Sequence, residues 1–188
     1  HYLLMEHPEE VEAFFDAHHR NLLRRVEIFA EHSPADFIYL TENTSTSIIS
    51  PAQFRRYGKP RLAEYCRILR DAGKIAVLHM CGLLKDLLDD LSEIPAHVFE
   101  AFTSPTVGNT TLLDGRARCP DKCLVGGTNA TLWTRPAGEI IARIQADLDA
   151  LPHHRGIVVT SAGVMPPACR PETIREVCDW VHAYPARM

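Results

Sequence analysis

The residues best equipped for chemistry are His79 and Cys81, in Leu78-His79-Met80-Cys81-Gly82 at the end of an apolar run that begins at Lys74. Side chains alternate across a strand, so this histidine and cysteine point to one side while Met80 points to the other. Imidazole nitrogen and thiolate sulfur are both zinc donors, and a catalytic zinc takes three protein ligands and leaves a position for substrate. A thiol substrate bound there is deprotonated and made nucleophilic. The competing reading is a hydrogen-bonded histidine beside a cysteine that acts as a small buried hydrophobe. For the third metal ligand, Cys169 follows the last predicted strand in Met165-Pro166-Pro167-Ala168-Cys169-Arg170, and Glu42 and Glu100 are the acidic alternatives. Glu42, Glu100 and Asn129 are also the candidate catalytic residues. Asn43, Thr44, Thr160 and Ser161 offer hydrogen bonds to a substrate carboxylate or amide, a role that capping and turn chemistry explains equally well.

The elements that position these residues alternate along the chain. Pro8 to His32 carries apolar residues at helical spacing, with Pro8 in the first turn followed by Glu9 and Glu10. Asp36–Thr41 is a short apolar strand. Ser50 caps a second helix, which Gly73 ends. Lys74–Met80 has the β-branched character of a strand buried on both faces. Leu83–Ile94 is predicted helical, His97–Phe102 a strand, the stretch through Asp114–Arg118 a loop and short helix, and Lys122–Gly127 a strand. A helix from about Thr134 to Leu151, the strand Gly156–Ser161 and a helix from Pro171 to Tyr184 complete the pattern. Strands separated by helices define a parallel α/β domain spanning 1–188, either an open doubly wound sheet or the last part of an eight-unit barrel. In both, active sites gather at the carboxyl ends of the strands. His79 and Cys81 sit at such an end, whereas Cys119 and Cys123 flank the start of the fourth strand and read as structural.

Composition narrows the function classes. The chain has 188 residues, 46% of them hydrophobic and 23% charged, with a formal net charge of −4, the profile of one soluble globular domain. Lysines and arginines are dispersed and outnumbered by acids, which excludes a nucleic-acid partner. No apolar run spans a bilayer and no signal peptide opens the chain, so the expectation is a cytoplasmic protein without a membrane partner. Its six cysteines then read as reduced thiols or metal ligands. There is no dinucleotide fingerprint, phosphate-binding loop or GxSxG elbow.

Taken together, Ile49-Ser50-Pro51 with Phe54, Leu78-His79-Met80-Cys81-Gly82, Val107-Gly108-Asn109-Thr110-Thr111-Leu112 and Gly126-Gly127-Thr128-Asn129-Ala130-Thr131 resemble one superfamily. It contains uroporphyrinogen decarboxylase and the methylcobalamin:coenzyme M methyltransferases. Thr160-Ser161, Pro166-Pro167 and Pro171-Glu172-Thr173-Ile174 resemble its final strand, double-proline turn and closing helix. The resemblance implies a (β/α)8 TIM barrel of which this chain supplies about the last five units, beginning at His1 as a fragment. The missing N-terminal strands, or an oligomeric partner, are then expected to cover the open sheet. The decarboxylases carry a histidine between two glycines before the double proline, where this chain reads Ser161-Ala162-Gly163. The methyltransferases hold zinc with a His-x-Cys pair, matched by His79 and Cys81, and a later cysteine that falls at about Ala162, with Cys169 seven residues further on. The resemblance therefore implies a zinc-dependent methyltransferase that activates a small-molecule thiol and takes its methyl group from methylcobalamin or a corrinoid protein. The alternatives are a metal-free decarboxylase-like lyase and a non-catalytic barrel fragment or binding module.

Overall fold

A computed structural model describes residues 2–188. Five strands run parallel: Phe37–Thr41 (β1), Ile75–His79 (β2), Val98–Phe102 (β3), Cys123–Gly127 (β4) and Ile157–Thr160 (β5). Their order across the sheet is β1-β2-β3-β4-β5, each joined to the next through helical segments. A doubly wound sheet reverses its strand order at a switch point; this one does not, so it has the succession of a barrel wall.

The helices are Tyr2–Glu6 (α1), Pro8–His32 (α2), Pro51–Gln53 (α3), Lys59–Asp71 (α4), Leu88–Ser92 (α5), Leu112–Arg118 (α6), Ala137–Asp149 (α7) and Pro171–Ala183 (α8). Between α3 and α4 a π-helical turn spans Phe54–Gly58. Gly58 is required there, because a Cβ would come within 2.9 Å of the buried Phe54 ring. Two capping boxes launch helices from loops beyond strand ends. Ser50 and Gln53 bond each other's backbone at α3, and Thr111 and Asp114 do so at α6; each cap is worth about 1 kcal/mol.

Alternation divides the sheet. Ile38, Ala76, Leu78, Phe99 and Leu124 face the helices and pack with Leu62, Leu69, Leu91 and Ile140 into the core. The opposite, concave face carries Tyr39, Val77, His79, Val98, Glu100, Val125 and Val158. Part of it is open, Tyr39 being 50% and Val158 48% exposed.

Besides the second helix, which the π-helical turn interrupts, three predicted elements differ, two of them at a proline. The opening helix is preceded by a separate α1, since His7 stands before Pro8 and takes φ −136°, as the proline ring demands. The helix expected over Leu83–Ile94 is a 3-10 turn at Lys85–Leu87 followed by the short α5. Side chains of other segments fix the backbone at its start: Leu83 N–H goes to Ser45 Oγ (3.0 Å) and Leu84 N–H to Asn109 Oδ1 (2.8 Å). The helix expected from Thr134 is a 3-10 turn at Leu132–Thr134 and then α7, the break falling at Arg135, which is extended before Pro136.

At the amino ends of the strands, His97 clips β2 to β3. Its Nδ1 accepts the Ala76 N–H at 3.0 Å and its own N–H donates to Ala76 O at 3.0 Å. An accepting Nδ1 must be unprotonated, and burial, reinforced by the charges of Arg70 and Lys122, holds the ring below the usual histidine pKa. The folded pKa thus lies below the unfolded value of about 6.5. Above both values the contribution is nil; as pH falls through about 6.5 the unfolded chain binds the proton first and stability declines. The urea midpoint is expected to drop between about pH 7.5 and about pH 5.5, and to drop less in His97→Gln. Equal drops in both proteins would remove His97 from this role.

Candidate functional site

The concave face presents its polar groups at the carboxyl ends of the first three strands. The register aligns Thr41 with His79 and His79 with Glu100. Tyr39, two residues before Thr41, lies on the same face and reaches across. Glu100 Oε2 accepts from His79 Nδ1 at 2.5 Å and from the Tyr39 hydroxyl, whose oxygen is 2.8 Å from that same Nδ1. With both donors on one oxygen, Nδ1 carries the imidazole proton, and Nε2 is the ring nitrogen without a hydrogen bond among the described residues. The His79 and Glu100 side chains are 19% and 21% exposed, shielded enough that the carboxylate depends on those donors. The Tyr39 phenol is pushed well above its ordinary pKa by burial, then by the hydrogen bond and charge of Glu100, with a smaller contribution from Cys81. It stays a donor at any physiological pH.

A β-bulge sets the aim of Glu100. The β3–β4 register shifts between Glu100 and Phe102, and Ala101 between them has φ +58°. Asn43 (φ +47°) and Ala162 (φ +52°), just beyond β1 and β5, are the other non-glycine residues in the left-handed region among the described residues. All three stand at the carboxyl end of the sheet, and strain of this kind concentrates at functional sites.

Cys81 follows β2 on the side of His79, and its thiol donates to Asn43 Oδ1 at 3.1 Å. The Glu42 and Asn43 N–H groups both donate to His79 O at 3.1 Å, so the loop after β1 is fastened to the strand that carries His79. His79, Cys81, Glu100 and Asn43 are thereby brought together. The remaining predicted residues stand elsewhere. Glu42 falls on the helix side of the sheet and lines a cavity of about 230 Å³ with His19, Tyr57, Arg61 and Tyr65. Burial raises its pKa, opposed by the Thr44 hydroxyl at 3.4 Å. Asn129 is buried, its amide nitrogen donating to Ser104 Oγ and Pro105 O and its oxygen accepting from Thr131 Oγ1 and Leu132 N–H. Those bonds hold a loop together. Thr160 Oγ1 accepts the Ala162 N–H and Ser161 Oγ donates to Gly163 O, both turn contacts. Cys169 is partly buried and packs against the core, with its Sγ directed to Arg170 O at 3.8 Å.

Among the described residues no three of His, Cys, Asp and Glu are placed to hold a metal ion together. His79 Nε2 and Cys81 Sγ have the chemistry of two zinc donors; a third is not beside them. Sequence reasoning does not single out Tyr39. Its only signal is parity with Thr41 on the strand, which becomes informative once the register is known. A cavity of about 640 Å³ lies between α1–α2 and the Ile48–Ile49 loop and is lined mainly by apolar residues such as Val11, Phe14 and Phe15. Chemistry, not volume, locates the candidate site.

Consecutive parallel βα units with their reactive side chains at the strands' carboxyl ends define an α/β protein of the TIM-barrel class. Residues 2–184 match the uroporphyrinogen decarboxylase (URO-D) family, and the chain belongs to that family. Its fold is similar to that of a methyltransferase from Methanosarcina mazei, with a TM-score of 0.66 and 20% sequence identity over 84% of this chain and 45% of the methyltransferase. No curated protein sequence matches the chain. No helix among the described residues is long and apolar enough to cross a membrane.

Glu100→Gln removes the charge that both donors address. The Tyr39 phenol is then expected to ionise at lower pH than in the wild type, read from the Cζ resonance of 13C-labelled tyrosine and assigned with Tyr39→Phe. An unchanged titration would show that Glu100 does not govern this hydroxyl.

Proposed function

We propose that the chain carries the catalytic end of a methyltransferase of the uroporphyrinogen decarboxylase family, moving a methyl group from methylcobalamin, free or on a corrinoid protein, to a small thiol. The supporting observation is the His79-x-Cys81 pair, with His79 Nδ1 engaged by Glu100 and Nε2 left for a ligand. Metal-binding histidines regularly give their other ring nitrogen to a carboxylate in this way. The pair fits two of the three protein positions of a catalytic zinc, and the third donor would come from outside the residues gathered here. Zinc at the pair would supply the positive charge that lowers the pKa of an acceptor thiol.

The chain's own residues prepare the site. Glu100 and Tyr39 fix the tautomer and tilt of His79, Asn43 orients the Cys81 sulfur, and Val125 and Val158 line the neighbouring wall. In the transfer itself the deprotonated acceptor sulfur forms the S–CH3 bond as the Co–CH3 bond breaks, its electron pair remaining on cobalt. The acceptor thiol's proton is released to solvent before attack.

The hydrogen-bonded Tyr39–Glu100–His79 chain favours one other reading, a metal-free carboxy-lyase. There the substrate C–CO2 bond breaks, the electron pair stays on carbon, and that carbon takes a proton delivered through His79. Elemental analysis and methyl-transfer assays of the wild type, Cys81→Ser and Cys169→Ala decide between the two. About one zinc per chain is expected in the wild type and in Cys169→Ala, lost from Cys81→Ser together with a fall of about 100-fold or more in transfer. A folded, zinc-free wild type that releases CO2 from a porphyrinogen and transfers no methyl group would overturn the methyltransferase in favour of the lyase.

A further inference from the structure

At the amino ends of β3, β4 and β5, across the sheet from His79, lies a cavity of about 560 Å³ bordered by Arg116, Lys122, Arg155, Asp121 and two histidines, His97 and His153. Arg116 is 6% exposed and Lys122 4%. Cations buried this far normally have an acidic partner. Lys122 has one, Asp121 at 2.7 Å. Arg116 has none among the described residues: its guanidinium donates only to the carbonyls of Pro120, Lys122 and Arg155, and its Nε is buried without a hydrogen-bond partner, as is His153 Nδ1 on the same cavity. Arg155 is exposed at the rim and lies within ion-pair distance of no carboxylate among the described residues. Three cations on this cavity thus share one side-chain carboxylate, in a chain whose net charge is −4.

We infer that this cavity is an anion site, separate from the candidate catalytic centre, that takes a compact phosphate-bearing small molecule. Guanidinium and ammonium groups converging on a recess are the usual means of holding phosphate oxygens. Arg155, exposed at the rim, makes the direct contact; Arg116 and Lys122 hold the wall at positive potential. The staple from Arg116 to Arg155 O at 2.7 Å fixes the backbone from which the rim arginine swings.

The probe is inorganic pyrophosphate, titrated calorimetrically into the 188-residue chain at constant ionic strength, with sodium chloride as the matched control. Saturable binding is expected, weakened about tenfold in Arg155→Ala, as loss of one charged hydrogen bond predicts. Arg155→Lys should recover part of it, and Arg143→Ala, whose side chain pairs with Asp147 on α7, should leave it unchanged. Citrate in place of pyrophosphate distinguishes a phosphate site from a general polyanion recess, and stronger binding of citrate would overturn the phosphate assignment. No saturable binding, or equal binding by the wild type and Arg155→Ala, would overturn the site altogether.

Discussion

One carboxylate oxygen holds the mouth of this sheet in order. Glu100 Oε2 receives a proton donor from β1 and another from β2 while sitting on β3, so three strands must keep their register for it to be satisfied. A partly buried carboxylate stripped of its donors costs several kcal/mol. The bulge at Ala101, the alignment of His79 with Glu100 and the reach of Tyr39 all follow from that requirement. The loop carrying Asn43 is drawn into the same arrangement through His79 O and the Cys81 thiol.

The two ends of the sheet have opposite electrostatic character. At the carboxyl end an acid gathers two hydrogen-bond donors beside a thiol; at the amino end arginine and lysine outnumber Asp121. The strands between are lined on the helix side by fully buried Leu78, Phe99 and Leu124, an apolar layer that provides little screening. Charge introduced at one end would therefore be felt at the other more strongly than through the same distance of water.

Much of this architecture is legible from residue pattern. The β-branched run before His79, the Ser50-Pro51 helix start and the Pro171 helix declare themselves because propensity, capping and burial agree. The disagreements arise at Pro8 and Pro136, where the residue before the ring leaves the helix, and at Leu83 and Leu84, whose N–H groups are taken by Ser45 and Asn109 from distant segments; no local window contains those last two partners. The candidate site divides along the same line. His79 and Cys81 belong together by spacing alone, and Glu100 joins them once strand order is known. Glu42 looks equivalent to Glu100 in the sequence, yet parity sends it to the helix side, and Asn129 is consumed by bonds within its own loop and to the loop after β3. Tyr39 could be found only from the register between strands.

Asn43, Ala101 and Ala162 each hold a left-handed backbone without the freedom of glycine, at about 1–3 kcal/mol apiece. The same torsions that weaken the fold turn the ends of β1, β3 and β5 to their final directions. Glycine at these positions would harden the protein against heat and loosen the aim of its mouth. Thermostability and precision are therefore opposed at a few backbone angles, and a program that selects variants for heat resistance alone would tend to erode the site first.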